Sequence, residues 1–137
     1  MPKSNTLSPG AIALLQQPFI AQFVTLMPDG APQATPVWVD VEADGRHVLV
    51  NTAEGRIKAK NAGHDPRVAL TVLDPGNPYR FVTLRGRIVE RRHEGADEQI
   101  DALAKKYLGQ EKYPMRQPGE QRVVLRIAPD HILEQGT

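Results

Sequence analysis

Two short segments, Pro28-Asp29-Gly30 and Ala43-Asp44-Gly45, constrain this chain more than any others, because each divides strand-like apolar runs with a turn suited to a hairpin. They cut the first third of the chain into strand candidates at residues 19–27, 33–42 and 46–52. Turns this short join only antiparallel neighbours, so the expected unit is an antiparallel meander. Ahead of it, Ser8 and Pro9 suit the N-cap and first position of a short helix running to Leu15, which Pro18 follows.

Further along, residues 55–63 read as a short helix, and residues 67–73 and 79–91 as strands flanking the turn sequence Pro75-Gly76-Asn77-Pro78. In the second of these, Val82, Leu84, Gly86 and Ile88 share one face, and Thr83, Arg85 and Arg87 the other. Gly86 leaves room for a bulge or corner. Residues 94–108 place Ile100, Leu103, Ala104, Tyr107 and Leu108 at helical spacing before Gly109, a natural C-cap residue. A last strand is expected at 122–127, ending before Pro129. Six antiparallel strands with short helices in the connections fit a β-barrel, because closure removes exposed sheet edges. One domain spans residues 1–137.

The missing residues exclude much chemistry. Without cysteine there is no disulfide, thiolate metal site or cysteine nucleophile. The four histidines lack ligand spacing, so no metal is expected. Asp40, Glu42 and Asp44 alternate along one strand without a calcium-loop pattern and read as a solvated face. Dinucleotide, P-loop, G-x-S-x-G and H-E-x-x-H signatures are all absent. Seventeen basic and sixteen acidic residues provide no global field for nucleic acid or an anionic membrane. With no apolar leader and no 18-residue apolar run, the expected location is the cytoplasm. An enzyme built from these residues would take its reactivity from a cofactor.

A place to hold one stands at Asn51-Thr52-Ala53-Glu54-Gly55-Arg56-Ile57-Lys58-Ala59-Lys60-Asn61, directly after Val48-Leu49-Val50. The segment sets three cations at a strand-to-helix junction, where a helix N-terminus already carries unpaired N–H groups and partial positive charge. An anion such as a phosphate would relieve that conflict. The alternative is three solvated side chains paired with Glu54 and Asp65. Upstream, Pro36 in Pro36-Val37-Trp38-Val39-Asp40 cannot donate to a strand ladder and belongs at an edge or bulge. Trp38 reads either as simple packing or as the wall of a site for a flat heterocycle.

In their order and spacing, four stretches resemble the flavin/deazaflavin oxidoreductase superfamily, and more closely its B group of actinobacterial deazaflavin-dependent enzymes. They are residues 33–38, 50–61, 65–70 and 79–86. The resemblance covers nearly the whole chain. It implies a mainly β, six-stranded antiparallel split β-barrel of the pyridoxamine-phosphate-oxidase-like kind, forming a homodimer with cofactor sites at the subunit interface. It implies Arg56 and Lys58 as phosphate ligands, with Ile57 between them and Lys60 and Asn61 nearby. Asn51 and Thr52 match partners of the ring or ribityl chain, Pro36, Val37 and Trp38 the strand passing the ring, and Tyr79 and Arg80 positions near the cofactor.

The implied activity is hydride transfer from reduced coenzyme F420 to an unsaturated organic substrate. Flavin mononucleotide in the same site, or a non-catalytic carrier of either cofactor, are the alternatives. Lys60, Arg80, Lys105 and Lys106 are candidate partners for the polyglutamate tail by which F420 extends beyond its phosphate.

Overall fold

The structure is a computed structural model that describes residues 5–137. Its elements are α1 (Pro9–Leu15), β1 (Ala21–Leu26), β2 (Pro32–Val37), β3 (Asp40–Val41), β4 (Val48–Ala53), α2 (Ile57–His64), β5 (Arg67–Asp74), β6 (Asn77–Arg92), α3 (Ala96–Leu108) and β7 (Arg122–Gln135). All strand pairings are antiparallel, in one seven-stranded sheet of order β2-β1-β5-β6-β7-β4-β3. The two edge strands, β2 and β3, are consecutive in sequence and joined by Trp38 and Val39. The barrel is therefore split: covalent chain, rather than a hydrogen-bonded ladder, links its two edges.

Both expected turns form, with Gly30 and Gly45 at φ 87° and 72°, a region that favours glycine. Ser8 caps α1 by accepting from Ala11 N at 3.1 Å, and Ala11, Leu14 and Leu15 are fully buried. They join Phe23, Val39, Val50, Leu70, Leu84, Leu125 and Ile127 in one core. β4 is buried along its whole length, unlike a strand with one wet face. Val48 and Val50 face that core, while Leu49 packs with Ala96 of α3 and Val124 on the other side.

The structure corrects the strand boundaries in two places. The expected strand at 33–42 is interrupted at Trp38 and Val39, giving seven strands instead of six. There α3 satisfies the backbone that the ladder abandons. Tyr107 Oη accepts from Val39 N at 3.1 Å and donates to Phe19 O at 2.7 Å, while Lys106 Nζ donates to Leu15 O and Val39 O at 2.6 and 2.7 Å.

The last strand also continues through Pro129 to Gln135. Beyond Ile127, β7 has left β4 and pairs only with β6, so the missing proline N–H costs no ladder bond. Gly86 lies opposite Pro129 at a register shift, and a Cβ there would sit 2.2 Å from Ala128 O. That close approach lets the two long strands bend together.

Candidate functional site

Where the barrel is split, a cleft of about 260 Å³ opens between the end of β2, the end of β4, the start of α2 and the segment leading into β7. Its lining combines Pro36, Val37, Trp38, Asn51, Arg56 and Lys58 with Ile20, Ile100, Tyr113, Met115 and Arg122. Six of the residues singled out in the sequence thus meet on one surface, although a linear view of the sheet puts β2 and β4 near opposite edges.

Arg56 is the N-cap of α2, makes no side-chain capping bond, and is followed by a first turn without an acidic residue. Glu54 and Asp65, the alternative partners for the cations, are engaged elsewhere. Glu54 pairs with Arg91 and with His93 at 3.2 Å, and Asp65 with Arg67 at 2.8 Å. Lys58 has no carboxylate partner among the described residues, and its ammonium is held below the ordinary lysine range by burial first, then by Arg56 and Arg122.

Arg122 is the cation that sequence reading missed. Its side chain is 3% exposed, lies over the Tyr113 ring at 5.1 Å, and donates from Nε to Asn51 Oδ1 at 2.9 Å. Nothing marks a lone arginine at a strand start as special. The β4–β7 register, which sets Arg122 opposite Ala53, brings it to the cleft. Among the described residues one carboxylate pairs with these charges from outside the lining: Glu120, 5% exposed, accepts from Arg122 Nη1 at 3.0 Å and lies 3.6 Å from Arg56 Nη2. Three cations against one carboxylate leave a local excess of positive charge.

Asn51 Nδ2 donates to Ala96 O at 2.9 Å and Gln99 Oε1 at 2.8 Å. Its amide is thereby committed to fixing α3 and Arg122 in the wall of the cleft. Trp38 is stacked on Tyr107, with centroids 5.3 Å apart and planes 12° from parallel, and meets the edge of Tyr113 at 5.9 Å. Packing residue and cleft wall are thus the same side chain.

The other named residues lie outside the lining. Thr52 is 1% exposed and its hydroxyl has no hydrogen-bond partner. Asn61 Nδ2 ties α2 to β1 by donating to Thr25 Oγ1 at 3.0 Å. Ile57 and Lys60 are exposed. Tyr79, 75% exposed, and Arg80, paired with Asp74 at 3.3 Å, sit near the β5–β6 turn. Of the candidate tail-binding cations, Lys106 is committed to the Leu15 and Val39 carbonyls, with burial lowering its pKa to about 8, and Lys105 is 3.7 Å from Glu111.

A curled, split antiparallel sheet with a cation-lined cleft at the split is a split barrel of the pyridoxamine-phosphate-oxidase-like kind. The chain belongs to the pyridoxamine 5'-phosphate oxidase family, whose model matches residues 9–136. It is 28% identical over 131 residues to an F420H(2)-dependent biliverdin reductase of Mycobacterium tuberculosis (strain CDC 1551 / Oshkosh), covering 95% of this chain and 89% of that protein. Among solved structures, an F420 reductase superposes with a TM-score of 0.80 at 26% identity, covering 94% of this chain and all of the other. General Stress Protein 26 from Bacillus anthracis str. Sterne shares the fold at a TM-score of 0.66 and 14% identity, over 92% of this chain and 91% of its own.

Proposed function

We propose that the protein is an F420-dependent reductase that binds the coenzyme in the cleft at the barrel split and reduces an unsaturated organic substrate. The observation that carries this reading is the convergence of Arg56, Lys58 and Arg122 on the lining of one cleft, with Glu120, outside that lining, the single carboxylate paired with them among the described residues. Such a surplus, with a desolvated Lys58, fits a ligand phosphate. The names of the two F420-linked relatives favour deazaflavin over other phosphate-bearing heterocycles.

When bound, the reduced coenzyme supplies the hydride. The protein's part is to bind, orient and keep water out. Arg56 and Lys58 hold the phosphate from the α2 side and Arg122 from the β7 side. Pro36, Val37 and Trp38 offer a flat apolar wall for the ring, and Ile20, Ile100 and Met115 add apolar surface. The cleft of one chain is a groove of about 260 Å³ that stays open on one side. This favours a homodimer in which a second chain completes the enclosure.

The test is a titration of purified protein with F420, followed by the coenzyme's fluorescence, with flavin mononucleotide added afterwards as competitor. Micromolar or tighter binding that flavin fails to displace is expected, followed by oxidation of the reduced coenzyme with an enone, quinone or tetrapyrrole. Displacement by flavin, with no prior deazaflavin signal, would assign the cleft to flavin mononucleotide instead. Tight binding without turnover across the panel would make the protein a carrier.

A further inference from the structure

Glu120 lies outside the lining of the cleft, yet it pairs with two of the cations on that lining, Arg56 and Arg122. Its two carboxylate oxygens address different guanidinium groups, Oε1 receiving Arg122 Nη1 at 3.0 Å and Oε2 lying 3.6 Å from Arg56 Nη2. This is how a bound phosphate would divide its oxygens between the same cations. The aim of Arg122 does not depend on Glu120 alone, because Asn51 Oδ1 holds its Nε at 2.9 Å and the Tyr113 ring supports its guanidinium plane at 5.1 Å. Asn51 is fixed in turn through Ala96 O and Gln99 Oε1. The chain therefore holds its cations ready by one set of contacts and screens them by another.

We propose that Glu120 is a specificity-determining residue: a resident carboxylate that opposes every anion entering the cleft and biases it toward a singly charged phosphodiester over a doubly charged phosphomonoester. The inference deepens the reading of the cleft as an F420 site and rests on it. The phosphate of F420 bridges to the lactyl tail and carries one negative charge, whereas that of flavin mononucleotide is terminal and carries about −1.5 to −2 at neutral pH. Repulsion from a fixed carboxylate scales with the charge of the group set beside it, so Glu120 penalises a terminal phosphate up to about twice as strongly as a bridging one in free energy. The carboxylates of the F420 tail, further along the ligand, are screened by solvent and salt. Arg56 and Lys58 attract both phosphates and separate them poorly. Glu120 supplies the repulsive element that discrimination needs.

The experiment measures binding of F420, flavin mononucleotide and inorganic phosphate to the parent protein, Glu120→Gln and Glu120→Asp. The readout is the emission of Trp38, the only tryptophan of the chain and part of the cleft wall. Thermal melts with and without each probe accompany the titrations. In Glu120→Gln, affinity is expected to rise about threefold for F420 and about tenfold for flavin mononucleotide and inorganic phosphate, a single-charge factor and roughly its square. The melting temperature of the empty protein falls, because buried Arg122 loses its counter-ion, while the shift produced by each probe grows. Glu120→Asp, which keeps the charge, retains the parent's preference.

A support role for Glu120 predicts the opposite sign: weaker binding of every probe in Glu120→Gln. That result, or equal gains for singly and doubly charged phosphates, overturns the proposal, as does failure of all three probes to bind any folded variant. If F420 fails to bind the parent while flavin mononucleotide and phosphate bind and gain as stated, the coenzyme assignment falls and the role of Glu120 stands.

Discussion

Lys58 is the cation of the cleft whose protonation is opposed on two counts. It is a lysine desolvated at a helix start, beside two arginines and without its own carboxylate, so its neutral form is favoured by burial and by like charge. A phosphate reverses that preference, because it interacts with the ammonium and hardly at all with the neutral amine. The linkage sign follows: affinity is full while Lys58 is protonated and falls as pH rises through its lowered pKa, before the ordinary lysine value of 10.5 is reached. We expect phosphate-ligand binding to weaken on the alkaline side in the parent and to remain flat over the same range in Lys58→Arg, whose charge persists. Parallel pH profiles in the two proteins would remove Lys58 from the site. Arg56→Ala and Lys58→Ala are each expected to weaken cofactor binding by about 1.5–3 kcal/mol, the scale of charge-assisted hydrogen bonds. Unchanged affinity in a well-folded double variant would exclude both as ligands. That Arg56 and Lys58 lie together was readable in the sequence because both belong to one local segment. Arg122 was not, because its place depends on pairing β4 with a strand that begins 71 residues after Asn51.

Among the elements, α3 has a role that its helical pattern hides. The spacing of Ile100, Leu103, Ala104 and Tyr107 announces an amphipathic helix, and those residues do line its buried or half-buried side. Their pattern does not show that Tyr107 and Lys106 replace the ladder bonds lost between β2 and β3. That contact spans 68 residues, which is why residues 33–42 read as one strand. Hairpins at Gly30 and Gly45 are local events and were legible, as was the position of α2. The continuation of β7 past Pro129 was not, since a proline reads as a stop until the strand is known to have one free edge. Tyr107→Phe tests the latch. It keeps the stacking on Trp38 but leaves the Val39 N–H unpaired in a fully buried residue, at a cost of about 1–3 kcal/mol in urea unfolding. Trp38 emission is expected to shift as well, because the join between the barrel edges loosens. Parent-like stability with unshifted emission would mean that water serves Val39 equally well.

At the scale of the whole molecule, the cleft of one chain leaves out two of the positions that the resemblance puts near a cofactor. Its cleft opens at the barrel split, while Tyr79 and Arg80, which resemble cofactor-proximal positions, lie near the β5–β6 turn and outside the lining. Tyr79 is 75% exposed, and Ile20 at the cleft is 50% exposed. A two-fold homodimer accounts for both facts if each hairpin reaches the partner's cleft, since a symmetric interface repeats any such contact. The expected solution mass is twice 15.1 kDa by light scattering. A sharper check mixes two binding-deficient chains, Arg56→Ala and Arg80→Ala, under conditions that exchange subunits. If Arg80 acts across the interface, a mixed dimer pairs the intact cleft of one chain with the intact hairpin of the other. One of its two sites then recovers parent-like affinity. If Arg80 acts within its own chain, every site in the mixed dimer keeps one defect and nothing is regained. Recovery of tight sites on mixing therefore places Arg80 in the partner's site, and its absence in a confirmed mixed dimer would confine each site to one chain.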